Sequence, residues 1–447
     1  MTTSVQDERL SGSHMSSPAK GATGSRLWTE TNIAWASIGL VAFHVADDDF
    51  LQPQPGTSAG DHLVSGLVPL AVIVLAAWAY PRMRAGFRAS IALALGGFGI
   101  VAGVEAVYYT TKGGPSGDDF TGFLSMTAGI VLVGVGIVTL WTSRRAGDRL
   151  VRRYLRRFLV AVGAAVVMYV FLAPFYISYV FTHVARGFVP APELSAAHED
   201  VAFKTSDGLE LRGWYIPSQN RAAVIVFPGR KGPQRQARML ARHGYGVLLF
   251  DRRGEGESEG DPNIFGWAGE QDLRGAVTFL ESRPDVDPER IGGLGLSVGG
   301  EMMIEAAAES DGLKAIVSEG AGIRSIRETL AIPGTRERLE GSLVHAVVTP
   351  GVALFSNTMP PPSLEDLAGE ISPRPVFFIY AMPGEGGEAE LTEVFYRAAH
   401  EPKAIWKVPG SEHKGGIEAQ PAEYERRVVG FFNRGLRQPP PTGGRTP

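Results

Sequence analysis

Apolar residues are spread unevenly along this chain. In the first 190 positions they gather into long, nearly uncharged runs at 63–80, 87–110, 120–142 and 158–181. Each run approaches the roughly 20 residues that a helix needs to cross a bilayer core. A fifth run, 28–45, is long enough but carries Thr, Asn and Ser early and His44 late. Soluble helices of this size need a polar face, and these runs lack one. The pattern therefore predicts an α-helical transmembrane bundle of about five helices over 28–185. Residues 1–27, rich in Ser, Thr, Gly and charge, read as a disordered N-terminus. The tail 436–447, with Pro439, Pro440 and Pro441, reads the same way.

After Pro190-Ala-Pro192 the texture changes. Short strand-like runs at 201–205 and 211–215 flank Asp207-Gly208, a hairpin signal. Buried-type runs at 222–227, 245–250, 291–296, 313–318, 375–380 and 404–408 follow, with helical stretches between most of them. Strands alternating with helices predict a mostly parallel central sheet with helices on both faces. The opening pair would form an antiparallel N-terminal edge. This unit should cover about 199–435.

Charge adds an orientation. Arg82, Arg84 and Arg88 crowd one short loop region, and Arg144, Arg145, Arg149, Arg152, Arg153, Arg156 and Arg157 crowd another. The alternate loops are acidic, with Asp47, Asp48, Asp49 and Asp61 in one and Asp118 and Asp119 in the other. Basic loops stay cytoplasmic, so everything after residue 181 should lie outside, with the lipid bilayer as a partner. Glu105 sits in an apolar run near its outer end, where a carboxylate reaches water cheaply or serves a function. Gly99-x-x-x-Gly103 permits close helix contact.

Composition narrows the chemistry. The 447 residues suit two or three domains, and a net charge of −4 gives no nucleic-acid signature. The absence of cysteine excludes disulfides, thiolate metal sites and cysteine nucleophiles.

The segment Ile291-Gly-Gly-Leu-Gly-Leu-Ser-Val-Gly-Gly300 then becomes informative. It lies between a strand and a helix, where a nucleophile elbow belongs. Gly295 and Gly299 leave room for a sharp turn that lifts the Ser297 hydroxyl above the sheet. The Val298 N–H begins the next helix and points where an oxyanion would form. A serine hydroxyl needs a base, and His413 lies just past the last strand, in the order Ser, acid, His. The acid should fall between 380 and 413, where Glu388 and Glu385 are the candidates, with Glu319 as a third. The Arg230 N–H, after the 222–227 strand, is the expected second oxyanion donor.

With these residues in place, 199–435 resembles an α/β-hydrolase of the dienelactone-hydrolase or prolyl-oligopeptidase-like kind, including bacterial esterases. Phe250-Asp-Arg-Arg-Gly-Glu-Gly-Glu-Ser258 and Asp285-Val-Asp-Pro-Glu-Arg-Ile291 carry the resemblance beside the elbow. It implies Ser297 as nucleophile, His413 as base then acid, and a carboxylate at Glu388 or Glu385. Such proteins more often use aspartate within a Gly-x-x-Asp turn, and Ala381-Met-Pro-Gly384 departs from that. Residues 321–370 are too long for an ordinary connection and read as a cap insertion. Its apolar stretch, 343–355, could line an acyl pocket, touch the membrane or fill cap core; with 13 residues it makes a poor sixth span.

The expectation is a membrane-anchored serine carboxylesterase in a bacterial plasma membrane, with its hydrolase domain extracytoplasmic. It would act on a small-molecule or lipid-like ester and need no cofactor or metal. A membrane-bound serine peptidase is the rival enzyme. A scaffold or signalling protein with a degenerate hydrolase domain is the non-enzymatic rival.

Overall fold

The computed structural model describes residues 29–436 apart from 114–118, 143–149, 185, 188, 190 and 384–386. Residues 1–27 and 437–447 of the expected tails, the acid candidate Glu385 and the loop arginines Arg144, Arg145 and Arg149 lie outside the described residues, whereas Leu436 caps the last helix and is buried.

The first part is helical: α1 (Glu30–Ala46), α2 (Leu63–Ala79), α3 (Ala85–Ala102), α4 (Val104–Gly113), α5 (Asp119–Thr142), α6 (Leu150–Val167) and α7 (Ala173–Thr182). Helix α1 starts where the Thr29 hydroxyl accepts the Asn32 N–H, satisfying one free donor of the first turn. Small residues bring α3 and α5 backbone to backbone. A methyl group on Gly99 would lie 2.9 Å from the Ser125 carbonyl, and one on Gly103 2.5 Å from that of Gly122. The Gly-x-x-x-Gly spacing thus marks a true contact. Glu105 falls in α4, beyond the break at Gly103.

Three of the expected runs coincide with helices long and apolar enough to cross a membrane, at Leu63–Arg82, Ala85–Tyr108 and Phe120–Thr142. The run at 158–181 differs. A π-helical turn, Met168–Leu172, joins α6 to α7, so the helical path extends from Leu150 to Thr182. Its apolar part, Met168–Thr182, is short. Among the described residues, the fourth helix of sufficient length and apolarity lies elsewhere, at Arg338–Ser356.

The second part contains β1 (Glu199–Lys204), β2 (Glu210–Ile216), β3 (Ala223–Phe227), α8 (Gln234–Arg242), β4 (Gly246–Phe250), α9 (Gly269–Glu281), β5 (Ile291–Leu296), α10 (Val298–Glu309) and β6 (Ala315–Glu319). The stretch expected to form a cap, 321–370, holds α11 (Ile326–Ala331), α12 (Thr335–Ser356) and α13 (Leu364–Glu370). The chain ends with β7 (Val376–Pro383), α14 (Glu388–Ala398), β8 (Lys403–Ser411), α15 (Gly416–Ala419) and α16 (Pro421–Gly435).

The strands form one sheet in the order β1-β2-β4-β3-β5-β6-β7-β8. Pairs β1–β2 and β2–β4 are antiparallel and the rest parallel. Strand β3 shows why helices cover both faces. All five of its residues are buried, with Ala223, Ile225 and Phe227 in one core cluster and Val224 and Val226 in the other. That two-residue alternation puts apolar side chains on both faces, and each face needs a cover. The parallel strands end on one edge, where the loops after β3, β5, β6, β7 and β8 meet.

Candidate active site

Ser297 occupies the single residue between β5 and α10, with φ 54° and ψ −125°. A side chain held at positive φ is strained, and such strain collects at functional turns. The flanking glycines explain how the turn closes. A methyl group on Gly295 would lie 2.1 Å from the Gly299 carbonyl oxygen, and one on Gly299 2.7 Å from that of Phe227. The Ser297 N–H donates to the Glu319 carbonyl at 2.8 Å, which pins the turn to β6.

The Ser297 hydroxyl lies 2.9 Å from His413 Nε2. The other ring nitrogen, Nδ1, lies 2.8 Å from Glu388 Oε2. Glu388 is only 2% exposed, and its Oε1 accepts the Ala381 N–H at 2.9 Å. It opens α14, where unpaired amide dipoles favour a carboxylate. Gly320 leaves room for this pair. Its φ is +73°, and a methyl group there would sit 3.1 Å from His413 Cε1.

Glu319 has a different place from the one its position suggests. Its two oxygens take the Gly416 N–H at 2.9 Å and the Tyr424 hydroxyl at 2.6 Å. Its side chain therefore braces the loop that carries His413. Burial pushes its carboxyl up to about 7, against the lowering effect of those two hydrogen bonds. Tyr424 was not legible as a site residue; only its position near the end of the chain, far from any motif, marks it.

The Arg230 expectation is corrected. Its N–H donates to Asp251 Oδ1 at 2.9 Å, so this amide is engaged and cannot also meet an oxyanion. The guanidinium is buried as well, 2.6 Å from Asp251 Oδ2 and 2.9 Å from Glu257. Arg230 thus locks the loop after β3 to the one after β4. The Val298 N–H is in a different position: as the first residue of α10, Val298 has no acceptor within that helix.

A cleft of about 390 Å³ opens between the linker and the loops after β3 and β4, lined by Val184, Val189, Pro228, Lys231, Arg252 and Ile264 among others. Ser297 does not line it. The two regions adjoin at Pro228, which packs against Gly299. The cap approaches the site from another side. Ile332 packs at Gly387, beside Glu388, and Val348 and Val352 pack on Trp267. Gly266, next to Trp267, abuts Val298.

Residues 191–345 match the family described as X-Pro dipeptidyl-peptidase (S15 family). The chain is 33% identical over 234 residues to the uncharacterized protein Rv2307c of Mycobacterium tuberculosis, covering 50% of this chain and 76% of that one. It is 26% identical over 249 residues to the uncharacterized protein YfhR of Escherichia coli, covering 52% of this chain and 80% of that one. Among solved structures, the Pyrococcus furiosus esterase Pf2001 is 24% identical, with a TM-score of 0.46, covering 57% of this chain and all of that one.

Proposed function

We propose that this chain, which belongs to one family with Rv2307c of Mycobacterium tuberculosis, is an α/β-hydrolase and acts as a membrane-anchored serine carboxylesterase. The relay from Ser297 Oγ to His413 Nε2, and from His413 Nδ1 to Glu388, is the observation that carries this reading.

His413 Nε2 takes the hydroxyl proton as Ser297 Oγ bonds to the ester carbonyl carbon, and the carbonyl π pair moves onto oxygen. The Val298 N–H stabilises that oxyanion. Glu388 holds the imidazole in the tautomer with an unprotonated Nε2 and stabilises the imidazolium. The oxyanion collapses, the carbon–alkoxide bond breaks, and the leaving oxygen receives the proton from Nε2. Water repeats the sequence on the acyl-enzyme, releasing the acid and restoring the serine hydroxyl. These steps call on the chain's own residues and no cofactor.

The apolar cap residues Val348 and Val352 and the three apolar helices in the first half favour an ester with an apolar acyl group. The arginine-rich loops favour an extracytoplasmic hydrolase domain. One observation favours a second reading, membrane-bound peptidase: the match of residues 191–345 to the X-Pro dipeptidyl-peptidase family.

A fluorophosphonate probe tests the core claim. It should label the wild-type protein and leave Ser297→Ala unlabelled; labelling that persists in Ser297→Ala refutes the assignment. A panel of acyl esters beside X-Pro peptides separates esterase from peptidase.

A further inference from the structure

Helix α12 has an apolar outer surface. Leu339, Leu343, Ala346 and Pro350 are exposed and spaced four, three and four residues apart, which aligns them on one side of the helix. Leu339 is 62% exposed and Leu343 47%. The opposite side, with Val348, Val352 and Phe355, is buried. A helix that meets water on its outer side carries polar residues there. Among the described residues, the exposed polar ones of α12 lie only near its start, at Thr335, Arg338 and Glu340. The neighbouring cap helix α11, packed against α12 through Thr329 and Gly341, exposes Ile326 and Leu330.

The buried side of α12 joins two other parts of the protein. Toward its C-terminal end it lies along α7. The Phe355 ring centroid is 5.2 Å from that of Tyr179 and 5.0 Å from that of Phe175. Ser178 donates to the Val348 carbonyl at 3.1 Å, and a methyl group on Gly351 would lie 2.5 Å from the Ser178 hydroxyl. Just past α12, the Asn357 side chain donates to the Asp61 carbonyl, near the start of α2. Helices α2 and α7 expose Leu63, Leu67, Ile177 and Val180. The apolar surface of α12 therefore adjoins helices whose outer surfaces are apolar too. Toward the site, Val348 and Val352 pack on Trp267, and Gly266 packs on Val298, the residue after the serine.

From this arrangement we infer that α12 rests in the bilayer surface beside α2 and α7, and that the ester cleaved at Ser297 is an acyl lipid drawn from that bilayer. The inference rests on the esterase reading above for its substrate half. A lipid environment satisfies the exposed stripe without a protein partner. It also sets the roof of the site at the depth where acyl esters reside.

The test uses the full chain in phosphatidylcholine nanodiscs. The chain has no cysteine, so Leu343→Cys creates one labelling site. A fluorophore there should be quenched when nitroxide-bearing phosphatidylcholine replaces the ordinary lipid, and a fluorophore at Glu289→Cys, on the exposed side of the hydrolase, should not. No quenching at position 343 overturns the placement. In parallel, a Leu339→Glu/Leu343→Glu variant should turn over a long-chain acyl lipid in the disc at least about tenfold more slowly, with a short water-soluble ester within about twofold of wild type. Equal loss on both esters, or a wild type that cleaves the soluble ester and ignores the lipid, overturns the substrate assignment. If neither ester is cleaved and no probe labels Ser297, the esterase reading itself fails, and the quenching result still decides the placement of α12.

Discussion

Replacing Glu388 with glutamine changes one oxygen to an amide and little else in shape. In the wild type, Oε1 accepts the Ala381 N–H and Oε2 faces His413 Nδ1. Glutamine has one acceptor oxygen and one NH2 donor to serve two neighbours that both donate. If its oxygen faced His413, its NH2 would oppose the buried Ala381 N–H, at a cost of about 1–3 kcal/mol for the unsatisfied donor. The preferred arrangement keeps the oxygen on Ala381 and turns the NH2 toward Nδ1. Nδ1 must then accept, so the proton moves to Nε2, the nitrogen that faces Ser297. A protonated Nε2 cannot take the serine proton. The expected fall in kcat is roughly 10²–10⁴-fold, or about 3–5 kcal/mol of barrier. The assay is steady-state hydrolysis of a soluble nitrophenyl ester, normalised to the concentration of folded enzyme. A Glu388→Gln enzyme that keeps more than about a tenth of wild-type kcat would refute the orienting role.

Arg230→Met should lower stability, because it leaves Asp251 buried without its cation; burial already pushes that carboxyl up. The expected loss is about 3–5 kcal/mol, read as a fall of roughly 10 °C in the melting temperature of the full-length protein. A large loss of turnover with an unchanged melting temperature would instead make the side chain a substrate contact. For Glu319, the folded carboxyl at about 7 lies above its ordinary value of 4.5. The folded state therefore holds a proton that the unfolded chain releases, and stability should fall as pH rises from about 4.5 to 7, by about 3 kcal/mol in full. Melting curves across that window should show the fall in wild type and a flatter profile in Glu319→Gln; parallel profiles would refute it.

The sheet was readable because its evidence is local. Asp207-Gly208 marks a hairpin, and the run at 222–227 is apolar at every position because β3 is covered on both faces. The sharp turn at Ser297 was readable for the same reason, since Gly295 meets the Gly299 carbonyl four residues on. Arg230 was misassigned because its amide partner, Asp251, arrives from a different strand 21 residues later. Tyr424 and Gly320 escaped notice on similar grounds: their importance lies in what the fold sets beside them. Helix α12 was underestimated by counting only its apolar core. Its polar first turns at Thr335–Glu340 extend it to 22 residues, and its contact with α7 joins segments more than 150 residues apart.

Glu319 touches both halves of the relay at once. Its carbonyl holds the Ser297 N–H, and its carboxyl holds the Gly416 N–H just beyond His413. Ser297 and the loop of His413 are thus surveyed from one benchmark on β6, so positional errors do not accumulate between them. The cap inserts after that benchmark. Its helices can differ in length and composition while the distance from serine to histidine stays where β6 sets it.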